Sequence, residues 1–170
     1  SVGPLRMSVS CAETLVEALE AASRNPQVRA IVLRIDSPGG SATGAEVIAR
    51  ELFEIGKRKP VVCSLGDIAA SGGYYVAAPC ATIFASPSTI TGSIGIFGGK
   101  VDASGLLDWV RVRRLSYQRG SHADQESIFR PYTDGERQNL RDQLQQGYER
   151  FVDTVARGRR MTTKDVDERG

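Results

Sequence analysis

One glycine-rich segment of the sequence could support nucleophilic chemistry. Residues 66–73 read GDIAASGG, so the Ser71 hydroxyl has only very small neighbours. The flanking pattern predicts a strand that ends here and a helix that begins here, and a helix N-terminus favours developing negative charge. The residue after a nucleophile at such a turn often points its amide toward the same oxygen, which makes the Gly72 N–H a natural oxyanion donor. We therefore expect Ser71 to be a nucleophile.

A second glycine-rich segment, residues 37–40 with the sequence SPGG, could supply the other oxyanion donor. Pro38 fixes the turn, and Gly39 and Gly40 let a bare backbone run beside a substrate with its N–H groups free. The alternative is that Ser71 is only a helix N-cap and that the glycines only permit close packing. For an isolated Ser-Gly-Gly that alternative is the better interpretation, so the hypothesis depends on the rest of the sequence.

The elements around these segments alternate between strands and helices. Residues 28–35 are almost continuously apolar and β-branched, which predicts a strand covered on both faces, and residues 60–65 predict another. Thr43 and Glu46 predict a capped helix between the two strands, so the three elements form a β-α-β unit. Further predicted elements are a short buried helix at 69–78, strands at 81–85, 91–97 and 112–117, and a helix at 106–110.

Two more helices carry capping boxes. Ser10 with Glu13 begins one near the amino terminus, and Thr133 with Glu136 begins a long helix with an apolar stripe after a polar loop at 118–132. The alternation predicts an α/β fold with repeated β-α-β units and a mostly parallel sheet. In such a fold ligands bind beyond the carboxyl ends of the strands, where both glycine-rich segments fall.

Composition limits the size, partners and chemistry of the protein. The 170 residues, 41% of them hydrophobic, suit one domain over residues 1–170, and a net charge of only +2 does not call for a nucleic-acid partner. The odd, widely spaced Cys11, Cys63 and Cys80 have apolar neighbours, so we expect buried free thiols. We expect no metal and no cofactor. Because the chain begins without Met and ends within a predicted helix, we expect a fragment truncated at both ends.

Three motifs in order resemble the signal peptide peptidase A (protease IV) family. They read DSPGG at 36–40, GDIAASGGYY at 66–75 and TGSIGIF at 91–97, and the similarity continues through 129–131, 148–152 and 157–161. The resemblance covers nearly the whole chain. It implies a ClpP/crotonase-like fold and serine endopeptidases that hydrolyse signal-peptide remnants with a Ser-Lys dyad. It also implies membrane-anchored homo-oligomers whose catalytic domain lies on the extracytoplasmic side of the cell envelope.

The resemblance also assigns roles to individual residues. Ser71 matches the family nucleophile, and Ser93 matches the serine that hydrogen-bonds the general-base lysine. Gly39, Gly40 and Gly72 match the segments that form the oxyanion hole. A lysine can act as the base only if its surroundings lower its pKa from about 10.4 toward neutrality, which burial among apolar groups does.

No lysine occupies the position that matches the family base, which falls at or near Ala123. The chain has four lysines that are more simply read as structural or solvent-facing, and only the third follows the predicted strand that carries Ser93: Lys57, Lys59, Lys100 and Lys164. Long members of the family contain two homologous halves, of which the first supplies the lysine and the second the serine. This chain resembles the second half, so we expect a missing amino-terminal half to supply the base.

Other interpretations of the same residues lead to different functions. A pseudo-peptidase that only builds an assembly would explain Ala123, and a crotonase-type enzyme would use the same fold on coenzyme-A thioesters. His122 could act as a base beside the vacant position, but an exposed loop histidine is the simpler interpretation. Asp36 could be a triad acid or metal ligand, although a carboxylate at that position more often caps its loop. Tyr74, Tyr75 and Trp109 read as packing or subunit-contact residues.

Overall fold

The protein is described by a computed structural model that covers residues 12–169. Ser10 and Cys11 therefore lie outside the described residues. The chain divides into two units, residues 1–95 with 148–170 and residues 96–147. Its elements are, in order, α1 (Ala12–Arg24), β1 (Ile31–Ser37), α2 (Ala42–Gly56), β2 (Val61–Ala70), α3 (Gly72–Ala77), β3 (Thr82–Phe84), β4 (Ile90–Gly92), α4 (Ser104–Trp109), α5 (Asp134–Arg159) and α6 (Thr163–Asp167).

A four-stranded parallel sheet organises the first unit, with β2 between its neighbours. The first half of β1 pairs with the first half of β2, from Ile31 opposite Val61 to Ile35 opposite Leu65. On the other edge of β2, β3 pairs with residues 62–64 and β4 with residues 68–70. The parallel sheet with helices around it confirms the predicted fold class.

Helix α2 packs its apolar stripe into the core next to β2. Ala45, Ile48, Leu52 and Ile55 are all buried, as their helical spacing predicts. The predicted start of this helix is wrong by two residues, because Ser41 is the N-cap and its hydroxyl accepts a hydrogen bond from the Gly44 N–H at 3.1 Å. Ser41 and Thr43 are both good caps, and the turn that leaves β1 decides between them.

Three predicted elements differ in the structure. Ala69 and Ala70 belong to β2 and not to the following helix, because residue 69 pairs with both Ser37 and Thr91 and this pairing outweighs the helical propensity of alanine. The strand predicted at 91–97 ends at Gly92. Residues 112–117 form no strand, since none of the strands within residues 12–169 pairs with them, and an unpaired strand is not stable.

The prediction of free thiols is wrong for two of the three cysteines. Cys63 on β2 and Cys80 after α3 form a disulfide between Cα atoms 5.8 Å apart, and both are almost completely buried. The chain returns to β2 after α3, where the Ala81 N–H donates to the Val61 carbonyl at 2.9 Å. This return brings the two residues together, and their separation of 17 positions gives no local signal of it.

An ionic cluster holds the loop before α5 in the second unit. The Arg130 guanidinium donates to both carboxylate oxygens of Asp124, at 2.6 and 3.0 Å, and to both of Glu136, at 2.7 Å each. The buried Glu136 also accepts from the Thr133 N–H at 2.8 Å, and its own N–H donates to the Thr133 hydroxyl at 3.3 Å, which confirms the predicted capping box. The Arg130 hydrogen bonds, followed by the Thr133 amide, hold the pKa of Glu136 well below its usual range.

The Glu136→Gln variant should lower the midpoint of thermal unfolding, because Arg130 and the Thr133 amide lose their charged acceptor. A folded-state pKa below the unfolded value of about 4.3 stabilises the protein fully above about pH 5, and this contribution declines as the pH falls toward the folded-state pKa. Unfolding curves of wild type and variant should therefore differ most near neutrality and converge in acid. Glu126→Gln, at an exposed position of the same loop, is the control. Equal midpoints for the wild type and Glu136→Gln at pH 7 would contradict this prediction.

Alkylation with iodoacetamide in denaturant should modify Cys63 and Cys80 only after a reductant is added, because their sulfur atoms are bonded to each other. Peptide mass spectrometry reads the result for each cysteine. In the Cys63→Ala control, Cys80 should react without reductant. Modification of both residues in the unreduced wild type would show that they are free thiols.

Candidate active site

Ser71 lies at the junction between β2 and α3 with a backbone conformation that side chains rarely adopt. Its φ is 50° and its ψ is −121°, and its N–H donates to the Gly92 carbonyl at 2.9 Å. The residue occupies the N-cap position of α3, but its side chain makes no capping hydrogen bond. A non-glycine residue in this region of φ and ψ is strained, and such strain is concentrated at functional sites. The simple N-cap interpretation therefore does not explain Ser71.

The turn after β1 lies directly against Ser71. Gly39 has φ +118°, and a Cβ built on it would stand 2.8 Å from the Ser71 Cβ and 3.2 Å from its Oγ. A Cβ on Gly72 would stand 3.3 Å from the Gly40 nitrogen, and one on Gly73 would stand 2.6 Å from the Ser37 carbonyl oxygen. The structure thus brings the two glycine-rich segments together at backbone contact distance.

The amide groups of these turns are not equally available. The Gly39 N–H donates to the Ser37 hydroxyl at 3.2 Å. Within the described part of the chain, the Gly40 N–H has no hydrogen-bond partner. The Gly72 N–H is the first of α3 and has no acceptor within that helix. The Gly72 amide, which follows Ser71 in the chain, and the Gly40 amide, which lies against Gly72, are therefore available to an incoming acceptor, while Gly39 allows the approach.

Ser93 follows β4 at the same edge of the sheet as Ser71. Its φ is also 50°, and the residue before it, Gly92, provides the carbonyl that accepts the Ser71 N–H. Strands β2 and β4 are parallel neighbours, so the residues that follow them both lie at the carboxyl end of the sheet. The two serines predicted from the family resemblance therefore belong to adjacent turns.

Three side chains that the sequence did not single out as supports hold the carboxyl end of β2. The Thr91 hydroxyl donates to the Ala69 carbonyl at 2.9 Å, and the Thr89 hydroxyl donates to the Gly66 carbonyl at 2.9 Å. On the opposite edge, Asp36 accepts from the Ile68 N–H at 3.3 Å and packs against Gly66. Asp36 thus acts as a structural acceptor between β1 and β2, and its position before the glycine turn was the available signal.

The lysines of the chain have partners of their own. Lys57 donates to Glu54 at 2.6 Å, and Lys164 lies 3.9 Å from Glu168. Lys59 donates to the carbonyl of Ala22 in the last turn of α1, at 3.2 Å, and to that of Asn25 just after the helix, at 2.5 Å. In the second unit, Lys100 donates to the Gln125 carbonyl and lies 4.2 Å from the centre of the Tyr132 ring.

The loop that matches the family base position contains an exposed alanine. Ala123 lies between Asp124, which Arg130 holds, and His122, whose Nδ1 is 3.8 Å from a carboxylate oxygen of Glu136. The His122 side chain is 56% exposed. Across residues 12–169, no group of three or more His, Cys, Asp or Glu side chains is placed to hold a metal ion. No helix in the same range is both long and apolar enough to cross a membrane.

A known protein family matches a large part of this chain. The model of a family described as Peptidase family S49 matches residues 54–169, a segment that includes Ser71 and Ser93. The chain belongs to peptidase family S49. This membership confirms the resemblance that the three motifs indicate, and it supports a serine-type peptidase.

Several curated relatives of this S49 chain are proteases by name. Protease 4 of Salmonella typhi is 39% identical over 157 residues, which are 92% of this chain and 25% of that protein. The chloroplastic serine protease SPPA of Arabidopsis thaliana is 32% identical over 169 residues, 98% of this chain and 25% of that protein. Protease 4 of Haemophilus influenzae is 34% identical over 157 residues, which are 92% of this chain and 25% of that protein. The chain spans about a quarter of the length of these three relatives.

In the full-length protein, Gly39→Ala should slow fluorophosphonate labelling at least about tenfold. The new Cβ would displace the Ser71 side chain, and a misplacement of about 1 Å can cost about a hundredfold. The rate constant is measured on the folded fraction. Gly120→Ala is the matched control: its φ of +106° is equally strained for alanine, and its Cβ would meet open space. Equal labelling rates in the wild type and Gly39→Ala would refute the close approach.

Proposed function

We propose that this S49 chain is the serine-bearing part of a serine endopeptidase in which Ser71 attacks a peptide carbonyl. The observation that carries the proposal is the strained Ser71, which does not cap its helix, at a turn that packs against Gly39 and Gly40. The Ser71 Oγ forms a bond to the carbonyl carbon as its proton passes to a base, and the amides of Gly40 and Gly72 hold the resulting oxyanion. Collapse expels the amine and leaves an acyl-enzyme that water hydrolyses.

The general base in this proposal is a lysine from outside the chain. The family position for the base is Ala123. Three lysines of this chain already donate to other groups, and Lys164 lies 3.9 Å from a carboxylate oxygen of Glu168. Ser93 hydrogen-bonds the incoming lysine, a role that is supported by its place in the turn next to that of Ser71. A homologous amino-terminal half supplies the lysine, in keeping with relatives about four times as long as the matched segment.

The proposed substrates are signal-peptide remnants bound as extended, apolar peptide. The residues on both sides of Ser71 are small, so none of their side chains covers the hydroxyl. By its family resemblance, the parent protein is a membrane-anchored homo-oligomer of the cell envelope with this domain on the extracytoplasmic side. Neither a nucleic acid nor a cofactor takes part in the proposed reaction.

Two alternative functions use the same fold. A pseudo-peptidase that serves only in assembly is favoured by Ala123, whereas the strained Ser71 and its adjacent amides favour catalysis. A crotonase-type reaction would use the same amides on the oxygen of a coenzyme-A thioester enolate. That reaction needs no serine at position 71, and binding of a coenzyme-A thioester would distinguish it from peptide hydrolysis.

Ser71→Ala in the full-length protein should abolish both peptide hydrolysis and fluorophosphonate labelling, because the attacking oxygen is removed. Ser86→Ala, at an exposed loop position, is the control and should keep wild-type rates. The rate of acylation should rise with pH through the pKa of the lysine base, since only a neutral amine accepts the Ser71 proton. Activity that survives Ser71→Ala would remove this residue as the nucleophile.

Substitution of the matching lysine in the amino-terminal half should abolish hydrolysis as completely as Ser71→Ala. Coexpression of the two halves as separate chains, each carrying one intact residue of the dyad, should restore it. A full-length protein without such a lysine and without activity would establish the pseudo-peptidase instead.

A further inference from the structure

Ser71, the proposed nucleophile, lies at the N-terminal end of helix α3. This helix is too short to fix its own orientation. It comprises six residues, Gly72–Ala77, and helices of this length are not stable in isolation. At 1.5 Å per residue it is about 9 Å long, so a displacement at one end is transmitted to the other. The orientation of Ser71 and of the Gly72 N–H therefore depends on what holds both ends of α3.

The far end of α3 is held by the last turn of α5. The Arg159 guanidinium donates to the carbonyls of Ala78, at 3.1 Å, and of Cys80, at 2.7 Å. Both residues are buried: Ala78 is the C-cap of α3, and Cys80 follows shortly after it. At this end the helix dipole is negative and a cation is favourable. At Gly158, the residue before Arg159, any Cβ would collide with the Ala78 carbonyl oxygen.

Other contacts give this attachment a rigid base. The Thr154 hydroxyl of α5 donates to the Tyr75 hydroxyl of α3 at 3.0 Å, and the ring of Phe151 lies 4.7 Å from that of Tyr75. Cys80 is also bonded to Cys63 on β2. The Arg159 contacts therefore attach the end of α3 to α5, while the disulfide attaches the same segment to β2.

We propose that Arg159 is a positioning residue for Ser71, which acts through α3 on the direction of the Ser71 side chain and the Gly72 N–H. The proposal rests on the proposed peptidase function. Arg159 has a different task from the glycines: Gly39 and Gly73 allow the near end of α3 to approach the turn after β1, while Arg159 holds the far end. Without the guanidinium, the Ala78 and Cys80 carbonyls lose their shared donor. The far end of α3 then tilts about its remaining contacts, and Ser71 and the Gly72 N–H lose their fixed direction.

The test uses Arg159→Ala and Arg159→Lys in the full-length protein, with two readouts of fluorophosphonate labelling. A purely structural role would reduce the final amount of labelled protein, because less of it is folded. A positioning role reduces the rate constant and leaves the final amount unchanged. We expect Arg159→Ala to lower the rate constant about tenfold or more, because a misplacement of about 1 Å can cost about a hundredfold. For a peptide substrate, kcat should fall while KM changes little.

Arg157→Ala is the matched control, because it removes the same charge from the same turn of α5. The Arg157 guanidinium lies 4.0 Å from the centre of the Phe53 ring, away from the end of α3, so this variant should label at the wild-type rate. Arg159→Lys should have an intermediate rate, since an ammonium keeps the charge but not the planar fork of the guanidinium. If Arg159→Ala is poorly folded, the rate constant of Arg159→Lys decides the question.

Wild-type rate constants in both Arg159 variants would overturn the positioning role, as would an equal loss of rate in Arg157→Ala. Failure of the proposed function has a different signature, which is undiminished labelling in Ser71→Ala. Loss of labelling in Ser71→Ala together with wild-type rates in the Arg159 variants would overturn the Arg159 proposal alone.

Discussion

The turn after β1 and the turn after β2 approach each other at backbone distance, and the arrangement of the site depends on that approach. A Cβ at Gly39 would lie 2.8 Å from the Ser71 Cβ, and a Cβ at Gly73 would lie 2.6 Å from the Ser37 carbonyl oxygen. These contacts therefore require residues without a Cβ. The same approach places the Gly40 nitrogen against Gly72, the residue that follows Ser71. The glycines of the two turns are thus required for packing, and this packing also shapes the surroundings of Ser71.

The parallel sheet explains why the serines and glycines meet. Strand β2 has β1 on one edge and β4 on the other, and all three run in the same direction. The turns that follow them therefore all lie at the carboxyl end of the sheet. Each turn contains a residue with positive φ: Gly39, Ser71 and Ser93. For the two serines this conformation costs about 1 to 3 kcal/mol each, and the packing around β2 must offset that cost.

Charged side chains hold loops and helix ends in two different ways. In the second unit, a buried carboxylate and an arginine hold a loop through direct ion pairs, as Glu136 and Arg130 do beside Ala123. In the first unit, Arg159 and Lys59 bind backbone carbonyls at the ends of helices. Such contacts between side chain and carbonyl orient short segments without the cost of burying a second charge. The proposed role of Arg159 follows from this difference.

Local spacing in the sequence was sufficient for the α/β class, the α2 stripe, the Thr133 cap and Ser71 as a candidate, because each depends on residues a few positions apart. Only the tertiary structure decided the features whose partners are distant in the chain. The disulfide joins residues 17 positions apart, the Arg159 contact to Ala78 spans 81, and β2 extends through Ala70 because strands on both edges pair with it. Residues 112–117 have the composition of a strand but lack a neighbour within residues 12–169, and a strand forms only where its backbone groups find partners.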